Sequence, residues 1–92
     1  MQEIQHLTAA IQDWLNGMML RGINQLSPRD LEQLRTQAER AGQLHMDELS
    51  RLLIQLADSG QTVLMGQVGQ EVLPDYFRLS AYVQMAQASW TE

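Results

Sequence analysis

Apolar residues recur at every third or fourth position through four stretches of this chain, and no stretch alternates apolar with polar as a strand does. A chain patterned this way hides its apolar side chains by packing helix on helix, so an all-α fold is expected. The first stripe is Ile4, Leu7, Ile11, Trp14, Leu15 and Met18, with Gln5, Gln12, Asp13 and Asn16 opposite. It predicts a helix over about residues 2–21, closed near Gly22, with Arg21 placed against the negative end of the helix dipole. Gly17 inside that helix costs roughly 1 kcal/mol relative to alanine, and a close helix crossing there would account for it.

The sharpest local signal is Leu26-Ser27-Pro28-Arg29-Asp30-Leu31. Ser27 reads as an N-cap, Pro28 as the first helical residue and Asp30 as the acidic partner of a capping box, with Leu26 and Leu31 placed as a hydrophobic staple. The second helix then runs over about residues 28–41 through Leu34, Ala38 and Ala41, stopping at Gly42, where a left-handed residue is easiest to accommodate. A third, about 46–66, starts with Asp47 and Glu48 in its first turn and carries Leu49, Leu52, Leu53, Leu56 and Ala57, with Ile54 widening the stripe. So broad a face suggests the most buried helix. Gly60 either interrupts it or is carried through, and continuation is the preferred reading. Residues 66–71 read as a loop, and a fourth helix follows over about 74–89 with Tyr76, Phe77, Leu79, Tyr82, Val83 and Met85.

Four helices with short connections predict either an up-down bundle or an irregular orthogonal bundle. The chain has 92 residues, which is one domain at most. No apolar run reaches the roughly 18–20 residues that span a bilayer, and the start lacks the pattern of a signal peptide, so no membrane and a cytoplasmic setting are expected.

Composition narrows the chemistry. The chain has no cysteine, which removes disulfides, thiol nucleophiles and the usual structural zinc sites. It has no lysine, so no phosphate loop of the GxxxxGK[ST] type exists, and no GxSxG elbow presents a serine. His6 and His45 fall on different elements without HxxxH or HExxH spacing, and no ExxH pair suits a di-iron bundle. Together these predict a non-enzyme with no cofactor or metal. The net charge of −5 argues against binding phosphate backbones, so nucleic acid is an unlikely partner. The alternative is a small nucleic-acid-associated regulator using residues 31–57 as an atypical helix-turn-helix, although Asp47 and Glu48 would then face phosphate.

What remains is an apolar surplus. Trp14, Met18, Met19, Tyr76, Tyr82, Met85 and Trp90 are the candidate interface, because methionine and aromatic side chains suit adaptable partner surfaces. The expected function is a helical protein–protein interaction or accessory module, with a protein partner or a homodimer as its assembly.

The order of Leu15, Gly22 and Leu26, then Ala41-Gly42-Gln43-Leu44, then Leu49-Ser50-Arg51-Leu52-Leu53-Ile54-Gln55-Leu56-Ala57, resembles the helical region accompanying the SWIM zinc finger in some bacterial proteins. The resemblance covers about residues 12–85. The zinc-binding cysteine/histidine motif of that family is absent, so no ligand residue carries over. What the resemblance implies is an accessory or interaction module.

Overall fold

The computed structural model describes residues 2–22, 26–66 and 72–89. These form four helices and, among the described residues, no strand: α1 (Gln2–Arg21), α2 (Pro28–Gln43), α3 (Asp47–Leu64) and α4 (Leu73–Ser89). Cross-helix contacts fix their directions. Ser50 donates to the carbonyl of Ala38 at 2.9 Å, while Arg35 reaches Asp58 and Gln61, so α2 and α3 run antiparallel. Arg21 at the end of α1 meets Asp30 at the start of α2. Tyr76 at the start of α4 donates to the carbonyl of Leu15 at 2.7 Å. Each helix packs on two neighbours in the ring α1–α2–α3–α4, with α2 on α3 the most extensive contact. The result is a small all-α domain of four helices built around the antiparallel α2–α3 pair.

One core joins all four helices. Leu7, Ile11, Leu15 and Met18 of α1 meet Leu34, Ala38 and Ala41 of α2, Leu49, Leu53 and Leu56 of α3, and Leu79 and Val83 of α4. Burying one leucine fully is worth roughly 2 kcal/mol. Thr8 is the one fully buried polar residue described, and its hydroxyl is satisfied by the carbonyls of Ile4 and Gln5.

The expected start of α2 is present in full. The Ser27 hydroxyl accepts from the Asp30 N–H, and Asp30 accepts from the Ser27 N–H at 3.0 Å. Asp30 also takes the Arg21 guanidinium at 3.1 Å, so the cap ties α1 to α2. Burial by itself raises the Asp30 pKa. The Ser27 N–H, the Arg21 guanidinium and the Ser27 hydroxyl together outweigh it and hold the carboxyl below its ordinary 3.8.

Three expectations about helix ends and glycines change. The second helix does not stop at Gly42 but continues to Gln43, and the left-handed residue is His45, with φ 62°. Met46 N–H bonds to the Ala41 carbonyl and His45 N–H to the Gly42 carbonyl, which together make a Schellman motif. Leu44 and Met46 pack against the core beside it, and that packing sets where the turn falls. No crossing occurs at Gly17, where an added Cβ would have nothing within 4 Å. The close approach is at Gly60, where a Cβ would lie 2.7 Å from Leu31 Cδ2 and 3.2 Å from Leu26 Cδ1. The third helix therefore continues through Gly60, as preferred, and ends at Leu64. Gly66 follows in the left-handed region, and residues 67–71 of the expected loop lie outside the described residues.

The two glycines should respond oppositely to alanine. Gly17→Ala is expected to raise stability by roughly 0.5–1 kcal/mol, the helix-propensity difference. Gly60→Ala is expected to lower it by at most about 1 kcal/mol net, because displacing the Leu31 and Leu26 methyls costs about 1–3 kcal/mol against the same helix-propensity gain. Thermal melts giving the same order for both variants would contradict the crossing. Replacing Asp30 tests the cap: Asp30→Asn should cost about 1 kcal/mol at neutral pH. Because the folded pKa lies below the unfolded one, this contribution is complete above about pH 3.8 and fades as pH falls through the folded value. Denaturant titrations across pH should show the two proteins converging in acid; a constant gap would argue against an ionised Asp30.

Candidate functional site

The seven residues expected at an interface separate into three groups. Trp14, Met18 and Tyr76 are buried in the core, which corrects their assignment to the surface. Trp14 and Met18 lie on the inward stripe of α1 with Ile11 and Leu15, and the Tyr76 hydroxyl is spent on the Leu15 carbonyl. Burial pushes the Tyr76 phenol above its ordinary 10.0. Tyr82 is half-buried against the core. Met19 and Met85 are exposed, at 63% and 71%. Trp90 lies outside the described residues.

The exposed apolar surface contains residues that the sequence reading left out of the interface. Leu20 stands beside Met19 at the end of α1; Val63, Leu64 and Met65 close α3; Leu73 and Phe77 open α4. Because α1 and α3 run the same way and α4 starts where α3 ends, all seven of these side chains belong to one end of the bundle. The Phe77 ring meets Tyr76 edge-on at 5.6 Å and leaves its other surface open. Phase marks Met19, Leu20 and Phe77, whereas Val63 and Leu64 continue the buried stripe of α3 seven positions after Leu56 and Ala57, past the point where it is covered. Met19 and Leu20 fall outside the stripe set by Ile11, Leu15 and Met18, and Phe77 falls outside the one set by Tyr76, Leu79 and Val83. Ile54 is likewise out of phase with Leu49, Leu53 and Leu56, and it faces outward where it was expected to widen the buried stripe.

Next to that end, a groove of about 830 Å³ runs between α2 and α3. Ile54, Leu64 and Met65 supply apolar lining from α3, while Glu32, Arg35 and Glu39 line it from α2. Arg35 spans the hairpin to Asp58 at 3.1 Å and to Gln61 Oε1 at 3.0 Å. Neither Glu32 nor Glu39 has an ion pair among the described residues. On the other flank of α2, facing α1, lie Arg29 and Arg40, the two arginines without an ion pair among the described residues. Trp14 Nε1 and Gln37 Oε1 are buried in that α1–α2 seam without hydrogen-bond partners. This seam is also much less extensive than the α2–α3 one.

The groups considered for chemistry are dispersed. His6 is exposed on α1 and His45 is exposed in the α2–α3 turn. No set of three His, Asp or Glu side chains among the described residues is grouped to hold a metal ion. Ser27 caps α2, the Ser50 hydroxyl donates to the Ala38 carbonyl, and that of Ser59 binds Asp75. Residues 31–57 form an antiparallel hairpin in contact along its length, whereas a helix-turn-helix crosses at roughly 90–120°. No helix among the described residues is long and apolar enough to cross a membrane. Comparison of the chain with family models, with curated proteins and with solved structures gives no match in any of the three.

Proposed function

We propose that the chain is a non-enzymatic helical interaction module, an accessory domain whose apolar end is covered by a protein partner, a second copy of the chain included. The observation that supports this reading is the gathering of Met19, Leu20, Val63, Leu64, Met65, Leu73 and Phe77, all exposed, at one end of the bundle. Single exposed apolar residues are ordinary on protein surfaces, but a concentrated set of large ones marks an interaction surface. Methionine adds adaptability and phenylalanine adds contact area with few rotatable bonds. An accessory role is also what the resemblance to SWIM-associated helical regions implies. A nucleic-acid role has no comparable support, since the start of α3 presents Asp47 and Glu48 on a chain of charge −5.

The isolated chain should self-associate through this end as its concentration rises past the order of 100 μM, a weak affinity suited to an exposed patch without its full partner. Sedimentation equilibrium should show that association, and the double variant Met19→Asp, Phe77→Asp should abolish it while leaving far-UV circular dichroism unchanged. A wild-type chain that stays strictly monomeric and binds no hydrophobic dye would contradict the proposal.

A further inference from the structure

We infer that the groove between α2 and α3 receives an amphipathic helix from a partner protein, one whose apolar stripe is flanked by lysine or arginine. This rests on the interaction-module reading and names the chemistry of the partner at a defined place.

Shape gives the first argument. Ile54 on α3 and Met65 just past its end stand eleven positions apart, about 16 Å at 1.5 Å per residue, so apolar side chains mark the two ends of the groove, with Gln61 and the Arg35 bridge between them. Ile54, Leu64 and Met65 line the groove yet remain exposed, Met65 at 70%. A helix laid along this seam would bring side chains of one apolar face, about three turns apart, onto its two apolar ends, the ordinary mode of helix-in-groove recognition.

Charge decides which helix. Glu32 and Glu39 lie seven positions apart on α2, so both face the same side, and both line the groove without an ion pair among the described residues. Arg35, between them, is already occupied by Asp58 and Gln61. The rim thus presents two uncommitted carboxylates and no uncommitted cation, while Arg29 and Arg40 line the α1-facing flank of α2. Glu32 and Thr36 sit on the crest between the two flanks and line both grooves. A second copy would bring the same −5 charge and the same glutamates, and a phosphate backbone would be repelled outright. A basic amphipathic helix matches both the apolar lining and the acidic rim.

The probe is a displayed library of helical peptides of about 18 residues, or five turns. Leucine or methionine is fixed at i, i+3, i+4 and i+7, and the flanks are drawn from Lys, Arg, Glu, Asp and Gln. Selection on the whole chain should enrich basic flanks, and the selected peptides should shift the Ile54 methyl resonances, which belong to the groove and not to the apolar end, and weaken with added salt. The double variant Glu32→Lys, Glu39→Lys, at two exposed positions, should lose at least about tenfold in affinity for them. Neutral or acidic flanks, affinity unchanged in the charge-reversed variant, or no enrichment at all would overturn the inference. Peptides that instead shift Met19 and Phe77 would also overturn it, while leaving the interaction-module reading in place.

Discussion

Leu26 and Leu31 press onto the bare backbone of Gly60, at a distance that leaves no room for a Cβ. That approach draws α2 and α3 together at the end where α2 begins, and the Ala38–Ser50 hydrogen bond holds them at the other end. The cap at Ser27 and Asp30 then fixes where α2 starts and, through Arg21, where α1 ends. With α1 and α3 ending together, Tyr76 can reach Leu15 and orient α4 beside α1. The placement of the apolar end and of the α2–α3 groove follows from these few contacts.

The same geometry divides the apolar residues between two tasks. Residues in phase with the inward stripes, Trp14, Met18 and Tyr76 among them, complete a core that a chain this short needs in full. Residues one position out of phase, Met19, Ile54 and Phe77, cannot reach it and stay in water. Their exposure is unfavourable to the isolated chain, and their concentration at one end and along one groove is what the proposed partner would relieve.

Features written in adjacent residues were legible in the sequence. The capping box needs only Ser27 to Asp30, and the inward stripes need only helical spacing, so the four helices and most of the core could be read directly. Features that depend on a distant neighbour could not. Gly17 and Gly60 look alike in sequence, and only the packing of α2 on α3 makes one a crossing and the other a gap. His45 took the left-handed position because Leu44 and Met46 pack beside the turn, a fact no glycine-based rule contains. The interface was hidden for a different reason: by residue type Met18 and Met19 are one pair, although helical phase separates them by about 100°.

That pair also offers the most direct measurement. Met18 is sealed in the core, its sulfur accepting from the Arg21 guanidinium, while Met19, Met65 and Met85 stand in water. Peroxide oxidation of the dilute chain, followed by peptide mass mapping, reads each of them separately. Met19, Met65 and Met85 should form sulfoxide quickly, and Met18 only as the chain unfolds. Equal rates at Met18 and Met19, or a protected Met65, would contradict the division between core and docking surface on which the proposed function depends.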